Sequence, residues 1–271
     1  MAQKRYERMN ESRIGHDPRS PRVPARMPGP PLISVIVPTK HEEKLLQGCL
    51  EQFTPQIRAR YRLEVIVSDG GSTDNTVGIA AAYADYIAVH EEPWRQTIAE
   101  GRNRGAALAN SDLFVFVNAD TRFANVEAFL DRVVQRFDID PSLSALACKV
   151  EVAEQERQLS DILFHGMFNR YVWIINRFIG MGRGECQIVR RSAFKAIGGY
   201  NREMVAGEDF DLFHRLHAVG KVTYDPKLLV YESPRRYRKY GYMRVWYDWT
   251  RNGFAVMFKH RSVSDVWEEV R

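Results

Sequence analysis

Cysteine is scarce in this sequence. Its 271 residues contain three, Cys49, Cys148 and Cys186, and they lie far apart. No CxxC pair or Cys/His cluster suggests zinc. The odd count and wide spacing fit buried thiols in a reducing cytoplasm. Long apolar runs are missing as well. No uncharged stretch reaches the roughly 18 apolar residues that a membrane-spanning helix requires. The first residues, MAQKRYERMNESRIGHDPRS, have no apolar core of the kind a secretory signal carries, so the expected location is cytoplasmic. Two phosphate-binding signatures are also lacking. No G-x-G-x-x-G follows a strand-like run, which weakens a dinucleotide reading. No G-x-x-x-x-G-K-[ST] occurs, which excludes a P-loop nucleotide hydrolase.

What is present describes a globular protein. The hydrophobic fraction is 45% and the charged fraction 27%, outside the range of collagen-like or low-complexity chains. The net charge is +5, but it is unevenly spread. Residues 1–31 carry seven Lys/Arg against three Asp/Glu, and residues 233–271 carry nine against four, which leaves an acidic body. Basic ends on an acidic body are not the even basic face of a nucleic-acid binder, so no nucleic-acid partner is expected. They suit a protein that meets phosphates or anionic lipid at its ends.

Residues 1–31 hold six prolines and no apolar periodicity, so they predict a flexible basic tail. A folded domain is expected over 32–232, and a basic, aromatic loop with a C-terminal helical segment over 233–271. Within the domain, short apolar runs alternate with amphipathic stretches. Strands are predicted at 32–38, 63–68, 86–90, 113–117, 143–152, 187–190, 222–224 and 228–231. Helices are predicted at 42–60, where Pro55 threatens an interruption, at 74–83 with Asp74 as cap, and at 97–109, 126–137, 159–179 and 209–219. A short helix follows residue 190, and the tail from Tyr240 is helical. The alternation predicts an α/β fold, a Rossmann-like, mostly parallel sheet with helices on both faces.

In such sheets ligands lie beyond the carboxyl ends of the strands. Polar clusters occupy three of those ends: Pro38-Thr39-Lys40-His41-Glu42-Glu43, Asp69-Gly70-Gly71-Ser72-Thr73-Asp74 and Asn118-Ala119-Asp120-Thr121. Turn chemistry accounts for one such cluster; three on one edge point to a site. A nucleotide suits it. A carboxylate after the second strand can accept the imide N–H of uracil or the N–H donors of guanine, and Gly70 and Gly71 let the backbone approach closely. Arg235 and Arg236 follow the last strand, and adjacent arginines bind diphosphate oxygens bidentately.

Taken in order, the pieces ISVIVPTKHEE, EVIVSDGGSTDNTV, GRNRGAALANSDLFVFVNADTR, GGY, GEDFDLFHRL and SPRRY resemble a family 2 glycosyltransferase of the GT-A fold. The ADTR and SPRRY pieces resemble a bacterial and archaeal subgroup. The resemblance covers roughly residues 32–240. It implies transfer of a sugar from a nucleotide diphosphate, UDP or GDP, to an acceptor hydroxyl that is lipid-linked or part of a saccharide. It implies that Pro38, Thr39 and Glu42 line the nucleoside pocket with Gly70, that Asp69 reads the base, and that Arg102 and Asn103 close the base and ribose pocket. Asn118-Ala119-Asp120 falls on the family's Asp-x-Asp motif, with Asp120 as ligand of Mg²⁺ or Mn²⁺. Asn118 replaces the first acid and brings no charge. Glu208-Asp209 falls on the family's acidic pair, with Asp209 as general base of an inverting reaction. Arg235 and Arg236 sit on a loop that closes over the donor.

Other residues have plainer readings. A solvated helix face is the alternative for Arg102 and Arg104, while Glu43 reads as an exposed first-turn carboxylate and Asp211 as outward-facing or supporting its helix start. His165, His214 and His217 read as surface or core histidines. Leu159–Ile179 is too apolar for an ordinary surface helix and too charged to span a bilayer. Like the aromatic, arginine-rich tail, it suits core packing, a dimer contact or the inner face of a membrane. The residues alone leave open a retaining transferase, a nucleotidyltransferase, or a non-catalytic nucleotide-sugar or RNA-binding protein.

Overall fold

The computed structural model describes residues 32–259; the predicted tail over 1–31 lies outside the described residues. In chain order the first half comprises β1 (Ile33–Thr39), α1 (Leu46–Leu50), α2 (Pro55–Tyr61), β2 (Leu63–Asp69), α3 (Thr76–Tyr83), β3 (Tyr86–Val89), α4 (Ile98–Leu108) and β4 (Leu113–Val117). The second comprises β5 (Arg122–Phe123), α5 (Val126–Ile139), β6 (Leu143–Val152), α6 (Leu159–Ile179), β7 (Cys186–Arg190), α7 (Arg191–Ala196), α8 (Glu208–Val219), β8 (Lys221–Glu232), α9 (Arg235–Tyr240) and α10 (Tyr242–Lys259).

The eight strands form one sheet in the order β3-β2-β1-β4-β7-β6-β8-β5. β3, β2, β1 and β4 run parallel to one another. β7 is antiparallel to both β4 and β6, β6 is parallel to β8, and β5 is antiparallel to β8. This mixed sheet carries helices on both faces, as the GT-A resemblance implies. The reversal at β7 brings its amino end to the edge where β1, β2, β4 and β8 end.

The two-residue period of the strands divides the apolar residues between two cores. Ile33, Val35, Val37, Val65, Val67, Val115 and Val117 face one core, closed by residues of α1, α2, α3 and α5 such as Leu46, Ile57, Ala80 and Leu130. Ile36, Ile66, Phe114 and Phe116 face the other, closed by Ala99 of α4, Phe168 and Val172 of α6, Phe194 of α7 and Leu212, Phe213 and Leu216 of α8. All three cysteines are buried free thiols.

Local chemistry corrects several boundaries. The helix predicted over 42–60 is two helices: Pro55 opens α2, and Thr54 caps it by accepting from the Ile57 N–H. α3 starts at Thr76, one residue beyond the Asn75 cap position, although Asp74 still accepts from the Thr76 N–H at 3.1 Å. β1 continues through Pro38 because its pairing with β4 stops at Ile36, so no ladder donor is missed on that side. The two short strands predicted around 222–231 are one strand, β8, whose register against β6 shifts between Cys148 and Lys149.

Candidate active site

The edge where these strand ends meet holds a cavity of about 450 Å³. β1 contributes Pro38, Thr39, Lys40 and Glu42, the β2 turn contributes Gly70, and the β4 end contributes Asn118, Ala119 and Asp120. α4 offers Arg102, the start of α8 offers Glu208 and Asp209, and the segment after β8 offers Arg235 and Arg236. Residues separated by nearly two hundred positions thus share one wall, as the motif order implied.

Two predicted residues lie elsewhere. Asp69 is fully buried and its carboxylate is already taken. It accepts from the Thr39 hydroxyl at 3.0 Å, the Gly71 N–H at 2.9 Å, the Ser72 N–H at 2.7 Å and the Ser72 hydroxyl at 2.5 Å. Held in this way, it shapes the loop beneath the cavity. Gly71 is required at that turn, with φ at +81° and room for a Cβ denied by the His90 carbonyl 2.9 Å away. Asn103 also turns from the cavity. Its amide donates to the Tyr200 carbonyl at 2.8 Å and accepts from the Tyr200 N–H at 2.9 Å, fastening the GGY turn to α4.

Arg102 lines the cavity but does not close over it. It is fully buried and donates to Glu208 at 2.9 Å, to the Asn118 side-chain oxygen at 3.0 Å and to the Gly184 carbonyl at 2.7 Å. It joins β4, the start of β7 and the start of α8 from below. Arg104, for which the sequence offers a solvated helix face as the alternative, is half-buried and paired with Glu92 at 2.9 Å. Asp211, read as outward-facing or supportive, is buried and accepts from Arg215, whose guanidinium also holds the Ile197 and Gly199 carbonyls. Glu43 supports the neighbouring turn by accepting from the Asn75 N–H.

Gly207 precedes α8 with φ at +78°, a left-handed turn that sets Glu208 and Asp209 at the helix start. Burial pushes the Asp209 carboxyl up to about 8, Glu208 and Glu185 push the same way, and Arg102 opposes them. One oxygen accepts from the Phe210 N–H at 2.9 Å. A carboxyl tuned near neutrality at a cavity wall is suited to proton transfer.

On the donor side, Arg235 spans two carboxylates, lying 3.0 Å from Glu42 and 3.3 Å from Asp120. Burial holds the Asp120 carboxyl above its ordinary range; Arg235 works against this and Glu185 adds to it. A carboxylate on the cavity wall is the kind of oxygen donor that hard divalent cations take. Among the described residues no three His, Cys, Asp or Glu side chains form a cage for a metal, and the Asn118 oxygen is engaged by Arg102. The donor set fits Mg²⁺ or Mn²⁺ held by one protein carboxylate, with diphosphate and water oxygens supplying the remaining positions.

The wall opposite the nucleotide motifs holds residues that sequence reasoning missed. Arg183, Glu185 and Glu232 line it with Phe168 and Trp249. Arg183 is buried, donates to Glu185 at 2.9 Å and also pairs with Glu232 and the Tyr237 hydroxyl. Burial and the Glu185 charge push Glu232 well above the carboxylate range. His165 is a core histidine kept neutral, its pKa pushed down to about 3 by burial and by Arg183. His214 and His217 are exposed, as read.

Comparison with known proteins follows this geometry. The model of the family described as "Glycosyl transferase family 2" matches residues 34–198, more than half of the chain. The chain belongs to that family. Among curated relatives, this family 2 chain is similar to validoxylamine A glucosyltransferase of Streptomyces hygroscopicus subsp. limoneus, 38% identical over 101 residues, covering 35% of this chain and 22% of the relative. It is also similar to an O-antigen biosynthesis protein of Myxococcus xanthus, 26% identical over 238 residues, covering 79% of this chain and 18% of the relative. The chain therefore spans about a fifth of these relatives' length. The family 2 fold recurs in a mannosyltransferase from Pyrobaculum calidifontis in complex with GDP-Man and Mn²⁺, with a TM-score of 0.66, 20% identity and coverage of 95% of this chain and 69% of that one. It recurs again in glucosyl-3-phosphoglycerate synthase from Mycobacterium tuberculosis, in complex with Mn²⁺, UDP-Glc and phosphoglyceric acid, at a TM-score of 0.58, 17% identity and coverage of 84% and 79%.

Proposed function

We propose that this chain transfers a sugar from a UDP- or GDP-sugar to an acceptor hydroxyl with inversion at the anomeric carbon, and that Asp209 is the general base. The observation that carries this reading is the position of Asp209. It stands at the start of α8, in the wall of the cavity that also holds Asp120, Arg235 and Arg236. In this scheme Asp209 takes the proton of the acceptor hydroxyl as its oxygen bonds to C1. The bond from C1 to the diphosphate oxygen breaks on the opposite face, and the nucleoside diphosphate leaves with the electron pair. Arg235 and Arg236 receive the growing negative charge through charge-assisted hydrogen bonds. Arg235 leaves Glu42 and Asp120 for the diphosphate as the donor binds. Asp120 would hold a divalent cation, which would supply further charge neutralisation at the leaving group. Arg102 positions Glu208 and Asn118, and the Asp69 loop sets the floor under the nucleoside.

The acceptor is drawn from lipid-linked or saccharide hydroxyls. A membrane surface as the working place is supported by the exposed apolar residues of α6 and α10 beside exposed arginines. Among the described residues no helix is long and apolar enough to cross a membrane. Three buried free thiols fit a reducing compartment, hence the cytoplasmic face.

The test begins with thermal shift of the protein against UDP-, GDP-, CDP- and dTDP-sugars, with and without Mn²⁺. A donor at about 100 times its dissociation constant adds roughly 2.7 kcal/mol and raises Tm measurably. With that donor, Asp209→Asn is expected to lower turnover by about 10²–10⁴-fold while donor affinity holds. NMR of the product then reads the anomer. Retention of configuration, or undiminished turnover by Asp209→Asn, overturns the assignment.

A further inference from the structure

Beside the catalytic cavity lies a second one, of about 480 Å³, between α6, α8 and α10. Its walls are apolar, from Tyr171, Ile175, Ile179, Met181 and Phe210 to Trp249. Of its polar lining residues, Asp211 and Arg215 neutralise each other at 2.8 Å, and His214 and Thr250 carry no fixed charge. Phe168, Phe210 and Trp249 line both cavities. Phe210 follows Asp209 directly in sequence, so the groove opens beside the group that receives the proton.

The other end of the groove meets an apolar track. Leu163, Met167, Tyr171, Ile174 and Phe178 recur every three or four residues along α6, which places them on one helix face. They are 66%, 50%, 40%, 41% and 71% exposed. Tyr171 belongs to both track and groove. Arg170 and Arg177 are exposed along the same helix, and the Arg177 guanidinium lies 5.9 Å from the Trp173 ring centre. An apolar stripe with flanking arginines is the pattern of a helix lying in an anionic membrane interface.

We infer that the groove between α6, α8 and α10 binds the aliphatic chain of a membrane-borne lipid acceptor, whose polar head reaches Asp209 past Phe210. The argument is continuity: stripe, groove and catalytic cavity share residues in sequence from membrane to base. A free saccharide has no use for so apolar a passage, whereas a single alkyl chain fills it. The inference rests on the transferase reading for the identity of the reacting head, but the groove is testable without any donor.

The probe is a series of n-alkyl phosphates, C4 to C12, held below their micelle concentrations. Binding to the full chain is followed by tryptophan fluorescence and calorimetry. Affinity is expected to rise about fourfold per methylene until the groove is full. Gly253 faces the groove, and a Cβ there would meet nothing nearer than the Phe210 ring at 4.0 Å. Gly253→Leu therefore fills the space and also suits a helix. It is expected to weaken C10 phosphate binding by tenfold or more while leaving nucleotide-sugar binding unchanged. Ala218→Phe, on α8, plugs the same groove from the opposite wall and guards against a misfolded first variant.

Affinity independent of chain length, or undiminished in both plugged variants, overturns the inference. So does a stable dimer, by sedimentation, that Ile174→Glu dissociates, because that gives the track to a second copy. Vesicle binding that depends on the stripe but not on the plugs reduces the face to a surface anchor and also overturns it. If no nucleotide-sugar binds while the alkyl series behaves as expected, the groove stands and the transferase reading is what has failed.

Discussion

The two halves of the sheet build the cavity by different means. On the parallel side, the loops after β1 and β2 are tied by hydrogen bonds in which one charged side chain meets backbone and other uncharged groups. Lys40 donates to the Gly70 and Gly71 carbonyls at 2.6 and 3.0 Å, and Asp69 gathers donors from its own turn. On the mixed side, the wall is held by buried ion pairs, with Arg183 between Glu185, two residues along the chain, and Glu232 at the end of β8. Loops on backbone hydrogen bonds tolerate substitution, because freed carbonyls on a cavity rim turn to water. Buried charges do not, because a carboxylate left without its cation carries its full desolvation cost.

The sharpest break between the halves is Arg183→Met. It keeps the aliphatic length beside Phe168 and Trp249, which lie 5.0 and 5.5 Å from the guanidinium carbon, but strands two carboxyl groups. Removal of one partner of a buried pair costs about 3–5 kcal/mol. At about 2–4 °C per kcal/mol for domains near this size, Tm should fall by about 6–20 °C. A fall of less than about 3 °C would show that the two glutamates had already shared a proton and needed little from the cation.

Asp209 stands at the seam, and pH reads its state. In the proposed role the acid is useful only when deprotonated, and burial pushes its carboxyl up to about 8. kcat/KM should therefore rise with pH and level off above about 8, with activity at pH 6 about a hundredth of the plateau. Stability moves the other way. The unfolded chain releases this proton near pH 4 and the folded chain near 8, so between them the folded state holds more protons and stability falls as pH rises. Asp209→Asn should flatten that slope in chemical denaturation series. A slope unchanged by the substitution would assign it to another group.

Much of this was legible in the sequence, and what was missed follows from the reversal at β7. Carboxyl ends of parallel strands announce themselves, so PTKHEE, SDGGS and NADTR could be placed on one edge before any coordinates. Arg183 and Glu185 precede a strand, and residues before a strand lie on the opposite edge unless the strand is antiparallel to its neighbour. Nothing in GRGECQIVR marks that direction. Pairing between β4 and β7, with Val117 opposite Cys186, decides it. Asp69 and Asn103 lie off the cavity wall for a related reason. Residue type and spacing bring a side chain to the site, but whether it faces the ligand or the supporting loop depends on which donors its own turn presents, as the Gly71 and Ser72 amides do.

Asn118→Asp tests the departure at the motif on the parallel side. Asn118 now accepts from Arg102, which also pairs with Glu208. A carboxylate there adds a hard oxygen near Asp120, and Mn²⁺ affinity, read by electron paramagnetic resonance, should rise about tenfold, one charge-assisted contact being worth about 1.5–3 kcal/mol before competition from Arg102. Unchanged affinity would mean that Arg102 keeps the new carboxylate for itself.

Lys40→Met is the smallest effect and closes the comparison with Arg183. Both residues hold the rims of the same cavity with multiple donors. Lys40, however, is only half-buried and its partners are backbone carbonyls that face the opening. Its replacement leaves no buried charge, and water takes its place. The cost should be about 1 kcal/mol, or about 2–4 °C in Tm. A loss as large as that of Arg183→Met would show that the β1 and β2 loops depend on a cation as strictly as the mixed side does.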